Sequence, residues 1–305
     1  MTKIDAGCER FRDTSAAEAL YGRVRFKNIL YATDFSPASQ LAMRYVVPLA
    51  HRYGSQIFVL HVIPEADVST EAHGLKPVEA EDRETIASMV KLEPRLKGVP
   101  HEFMVRKGHM WAETARIIEE KTISLVLMGT HGRSGARKVI MGSVAEEIFR
   151  KAPCPVLTVG PNVCGEPDSL ADIRTILCPI DFRPESLAAI PYATSLAEQN
   201  QARLYLLQVS GSTADELPDA STKAALRALV PPEAERYCEP KALVEYGAPA
   251  ETILDSAAQL GVDLIALGVK PATQFAGKPP HRTAATAYRI VTEAICPVLT
   301  VRART

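Results

Sequence analysis

Apolar and polar positions alternate along this chain in short blocks whose period changes from strand to helix and back. Asn28 to Ala32 is a brief apolar run suited to a buried strand. Asp34 and Ser36-Pro37 punctuate it and predict a helix start, because proline is tolerated in a first turn. Leu41, Met43, Tyr45, Val46 and Leu49 then follow at roughly helical spacing, and Ile57 to Val62 predicts a second strand. Beyond a polar stretch from Glu65 to Lys76, the pattern predicts a helix over 79–96, a strand over 102–105 and a helix over 111–121. A strand over 125–128, a helix over 143–150 and a last strand over 156–159 complete the series.

The whole series then recurs. With one constant shift and no gap, Ile29-Leu30 falls on Ile176-Leu177, Asp34-Phe35 on Asp181-Phe182, Pro37 on Pro184, Tyr45 on Tyr192 and Val62 on Val209. Cys154-Pro-Val-Leu-Thr-Val159 returns letter for letter as Cys296-Pro-Val-Leu-Thr-Val301. Such order does not arise twice by chance, so the chain is an internal duplication. Alternating strands and helices imply parallel pairing through crossovers, which makes each half an α/β, doubly wound sheet. The expected organisation is an N-terminal extension over 1–24, a first domain over 25–162, a linker over 163–172 that contains Gly165 and Pro167, and a second domain over 173–305.

Composition narrows the function. Basic and acidic residues number 35 against 36, so the charge excess of a nucleic-acid binder is missing. No apolar run is long enough to cross a bilayer, and the first two dozen residues lack the apolar core of a signal peptide. The six cysteines form no Cys-x-x-Cys pair and the histidines no His-Glu-x-x-His, which argues against structural zinc and a disulfide framework. A reduced, cytoplasmic protein is expected, with neither membrane nor nucleic acid as partner.

Candidate chemistry lies in three loops of the first half, since open α/β sheets bind ligands outside the carboxyl ends of their strands, where strand order reverses. These are Ala32-Thr33-Asp34, His61-Val62-Ile63, and the long segment from Gly129 to Ser143. Gly129 and Gly132 end a strand and can turn tightly with amides exposed, a concavity suited to an anion. Gly142-Ser143 stands at the next helix start, where unpaired N–H groups and the dipole also favour negative charge. Arg133, Arg137 and Lys138 add cations between them. A plainer account exists: Ser143 and Glu146 spell a capping box, glycines after strands often mark turns only, and the basic residues could be a solvated face. Gathered in one loop at the ligand edge, the features favour a polyphosphate.

Gly129-x2-Gly132-x9-Gly142-Ser143 resembles the ATP-binding signature of the universal stress protein family. The opening Ile29 to Ser36, the Leu60-His61-Val62 strand end and the closing Cys-Pro-Val-Leu-Thr-Val resemble that family too. The resemblance implies two five-stranded parallel sheets of order 3-2-1-4-5, with ATP, with or without Mg, across the first and fourth strands. It places Ala32, Thr33 and Asp34 at adenine and ribose, and the Val62 backbone at the base. Met128, Gly129, His131, Gly132 and Arg133 would line the ribose and α-phosphate, and Gly142, Ser143 and Val144 the outer phosphates. Ala32 departs from the proline that many ATP-binding members carry.

In the second half the corresponding second glycine is Pro271, which has no N–H to donate, and the Gly-Ser pair is Ala284-Ala285. No nucleotide is expected there. Three functions are carried forward. The first is a stress-response protein that binds ATP in its N-terminal domain as a regulatory or structural ligand. The second is a slow ATP-hydrolysing enzyme, although the loop lacks a Walker lysine-serine pair and offers only His131 as a candidate base. The third is an assembly module that binds no nucleotide. The matched closing strands could pair the two halves as an intrachain pseudo-dimer. A homodimer and a regulatory protein partner complete the expectation.

Overall fold

The computed structural model describes residues 24–64, 78–130, 141–166, 168–211, 220–270 and 285–303. The chain divides into two compact units. The first comprises Phe26–Val159 together with Gly165–Ala171; the second comprises Asp172–Thr305, Gly160–Cys164 and the described residues ahead of Phe26.

In the first unit the chain runs β1 (Asn28–Ala32), α1 (Pro37–Tyr53), β2 (Gln56–Ile63), α2 (Val78–Leu92), β3 (His101–Lys107), α3 (Met110–Glu120), β4 (Leu125–Gly129), α4 (Ser143–Lys151) and β5 (Val156–Val159). All strand pairs are parallel, in the order β3-β2-β1-β4-β5. This is the expected doubly wound order. It places the carboxyl ends of β1 and β4 side by side, with Ala32 opposite Met128. The sheet is solidly apolar because both faces are covered: Ile29, Leu30, Tyr31, Ile57, Val59, Val126 and Leu127 are fully buried.

The second unit repeats the arrangement with β6 (Thr175–Pro179), α5 (Pro184–Leu187), α6 (Ile190–Asn200), β7 (Arg203–Ser210), α7 (Ala220–Arg227), β8 (Lys241–Tyr246), α8 (Pro249–Gln259), β9 (Leu264–Val269), α9 (Ala285–Glu293) and β10 (Val298–Arg302). Its parallel strands lie in the order β8-β7-β6-β9-β10, the mirror-written equivalent of the first. One difference is local: the single helix α1 becomes the two pieces α5 and α6.

Helix α1 shows how sequence sets its ends. The Ser36 hydroxyl accepts the Ser39 N–H at 3.3 Å, Pro37 occupies the first turn, and Gly54 closes the helix in the left-handed conformation at φ 62. The Tyr31 hydroxyl, buried beneath, donates to the Ser39 carbonyl at 2.6 Å and ties the helix start to β1. Burial pushes its pKa up to about 12, so it stays a donor at any ordinary pH.

Among the described cysteines no disulfide forms. Burial pushes the Cys178 and Cys296 thiols up to about 12 and Cys238 to about 11, which leaves almost no thiolate to react. Exposed Cys164 is therefore expected to take up iodoacetamide much faster than Cys178, Cys238 and Cys296 in the native protein. Mass spectrometry of the alkylated chain checks this; Cys178 labelled as fast as Cys164 would contradict it.

Candidate functional site

The loop after β1 is built by its own side chains. One carboxylate oxygen of Asp34 accepts the Ser36 N–H at 3.0 Å, and the Thr33 hydroxyl accepts the Phe35 N–H at 3.0 Å. Together they hold Phe35 at φ 60, a conformation that a bulky residue rarely adopts. His61, at the end of β2, supports the loop from below. Its Nδ1 lies 2.8 Å from the Thr33 carbonyl, so that nitrogen carries the proton, and its ring packs against Phe35 at a tilt of 38°, centroids 4.8 Å apart. His61 is therefore a positioning residue for Thr33 and Phe35.

Next to this loop lies the end of β4. Gly129 is not simply a turn residue: a Cβ there would meet the Ala38 backbone carbon at 2.9 Å, because α1 starts directly over the strand end. Beyond it, Thr130 donates its N–H to the Val159 carbonyl at 3.0 Å and accepts the Gly142 N–H at 2.9 Å. Thr130 and Gly142 are thus hydrogen-bonded directly to each other. Gly142 is the N-cap of α4, with Ser143 already inside the helix and no side-chain cap hydrogen bond. The capping box that Ser143 and Glu146 spell is accordingly not formed, since the residue at the cap position has no hydroxyl. The Gly142 N–H is spent on Thr130, which leaves the amides of Ser143, Val144 and Ala145 as the first-turn donors without an acceptor inside the helix.

These elements enclose a cavity of about 230 Å³ at the switch between β1 and β4. Seven of the residues singled out in the sequence line it: Ala32, Thr33, Asp34, Met128, Gly129, Gly142 and Ser143, with Val144 as an eighth at the helix start. Val62 does not line it but is buried in β2, paired with Arg106. His131, Gly132 and Arg133, like Arg137 and Lys138, lie outside the described residues. Sequence reasoning missed Ser39, Met110, Thr130, Ala145 and Ile148, which also line the cavity. Only Ser39 left a trace, as the partner three residues after the Ser36 cap. Electrostatically the cavity joins an apolar floor of Met128, Met110 and Ile148 to the positive end of the α4 dipole.

The second unit keeps the loop and loses its surroundings. Asp181 accepts the Arg183 N–H at 3.0 Å and Phe182 sits at φ 58, so the Asp-Phe turn is common to both halves. Gln208 stands where His61 stands in the first half, and Ile180 replaces Thr33. At Gly268 a Cβ would lie 1.9 Å from the Glu185 carbonyl oxygen, so α5 presses on β9 harder than α1 presses on β4. Pro271 and Ala284 lie outside the described residues. Elsewhere, His101 bonds the Val99 carbonyl and Glu93, and His109 sits 3.8 Å from Glu147. No cluster of metal-ligating side chains occurs among the described residues, and none of their helices is long and apolar enough to cross a membrane.

The universal stress protein family model matches residues 25–160 and again 172–302. A universal stress protein of Methanocaldococcus jannaschii is 25% identical over 155 residues, covering 45% of this chain and 96% of its own length. Universal stress protein YxiE of Bacillus subtilis is 30% identical over 146 residues, covering 44% of this chain and 99% of its own. In three dimensions, the crystal structure of a universal stress protein from Archaeoglobus fulgidus superposes over 91% of this chain and 98% of that one, with a TM-score of 0.70 at 20% identity, which is a likeness of fold. Two consecutive matches, each spanning a complete doubly wound unit, make this chain a tandem member of the universal stress protein family.

Proposed function

We propose that the first unit binds ATP in the cavity between β1 and β4, as a regulatory or structural ligand of a stress-response protein. The observation that carries the proposal is the convergence, at one switch point, of the Ala32–Asp34 loop, the end of β4 and the amino end of α4. In this reading adenine and ribose lie against Ala32, Thr33 and Asp34, and the α4 amides of Ser143, Val144 and Ala145 face the phosphates. His131, Gly132 and Arg133 complete the site from the 131–140 segment. Its output passes to a regulatory protein partner, and association of two chains belongs to the same proposal.

The second unit is proposed to hold no nucleotide. The main chain of α5 lies closer to Gly268 than that of α1 lies to Gly129, and the first turn of α5 carries the acidic Glu185 where α1 has Ala38. A negative charge there opposes a triphosphate.

Titration calorimetry with ATP on the full chain tests both statements. One nucleotide per chain is expected, and incubation over hours should return ATP rather than ADP. Two nucleotides per chain would sink the assignment of the halves; no binding at all would sink the site.

A further inference from the structure

We infer that the segment ahead of each repeat is a latch that docks on a helix of the other repeat, α1 in the first unit and α6 in the second, and that Pro48 builds the stronger of the two docking sites. Pro48 lies inside α1. It has no N–H, so the Arg44 carbonyl one turn earlier is left without its helical donor, and the ring pushes that carbonyl outward. The Ala171 N–H, from the segment between the repeats, donates to it at 3.0 Å. The same arginine holds the segment twice more. Its Nε donates to the Ser169 carbonyl at 3.1 Å, and its guanidinium fills the space over Gly165, where a Cβ would lie 1.5 Å from Nη1. Gly165 at φ +145 is in a conformation that side chains rarely adopt, so glycine suits this position on two counts.

Burial supports a covered outer face. Tyr45 to Ala50 are all buried, an unbroken run that goes more than once around the helix. A helix that packed on a sheet by one face alone would expose part of such a run.

The second unit has the counterpart. The shift that lays Ile29 on Ile176 also lays Pro48 on Ser195 and Val24 on Ala171. In the structure the Ser195 hydroxyl, on α6, donates to the Val24 carbonyl at 3.4 Å. Thus Ala171, which precedes the second repeat, belongs to the first unit, and Val24, which precedes the first repeat, belongs to the second. Two equivalent segments bind, one turn apart, on equivalent helices in exchanged fashion, the pattern of swapped arms.

Amide exchange and limited proteolysis of the full chain test this. Pro48→Ala restores an N–H four residues after Arg44, in competition with Ala171, and improves the helix itself, so folding is not at risk. The Ala171 amide is expected to exchange roughly tenfold faster in this variant. Arg44→Ala, which removes the guanidinium but keeps the proline, should expose the 165–171 segment to protease. Ser195→Ala should quicken tryptic cleavage after Arg25 by roughly threefold. An Ala171 amide already unprotected in the wild type, or unchanged by Pro48→Ala, would overturn the first latch. Cleavage after Arg25 unaffected by Ser195→Ala would overturn the exchange.

Discussion

Val144→Asp is expected to weaken ATP binding by roughly 100-fold, about 2.7 kcal/mol, while leaving the fold intact. Val144 is 39% exposed at the start of α4, so its side chain is not needed for packing. An acidic residue in a first helical turn is favourable to the helix, by about 0.3–1 kcal/mol, because it faces the positive end of the dipole. The same charge occupies the place where the phosphates are proposed to lie and repels them. Helix stability and ligand affinity should therefore move in opposite directions, an outcome that damage to the fold would not produce. Calorimetric titration gives the affinity, and thermal unfolding without nucleotide gives the stability. Unchanged affinity would place the phosphates elsewhere.

Replacing Gly268 with alanine is expected to be the most destabilising small change in the second unit, at roughly 3 kcal/mol or more. The added methyl would lie 1.9 Å from the Glu185 carbonyl oxygen and 2.5 Å from the Ser186 Cα, both main-chain atoms that cannot rotate aside. Either α5 lifts off β9 or the end of β9 bends. Gly129→Ala in the first unit meets main chain at 2.9 Å and should cost less, roughly 1–2 kcal/mol. Urea unfolding of both variants decides the order. A Gly268 variant as stable as wild type would mean that the helix start yields without penalty.

Much of this fold is written in short-range pattern. The run Val156–Val159 forms the strand it predicts, and β2 exceeds its predicted span by one residue at each end. The helix predicted to reach Leu96 instead ends at Leu92 and continues as a single tighter turn, because Pro94 removes a donor and disfavours helix in the residue before it. The cavity was legible only where it follows strand ends, at Ala32–Asp34 and Met128–Gly129. Met110 and Ile148 reach it from helices whose apolar stripes look like any core face. The steric reason for Gly129 depends on α1 lying overhead, a long-range fact that no local window contains. The capping reading of Ser143 failed by a single position, which is the usual margin at helix ends.

The assignment of 160–164 to the second unit and 165–171 to the first has a practical result for anyone dissecting the protein. No single cut yields two complete halves. A fragment that stops after β5 leaves the Arg44 carbonyl bare of the Ala171 amide. A fragment that begins at Asp172 forfeits Asn162, whose side chain caps the Glu293 carbonyl at the end of α9. Separately expressed halves should each be weaker than the same sequence within the intact polypeptide, and a clean pair of pieces would have to overlap across the junction.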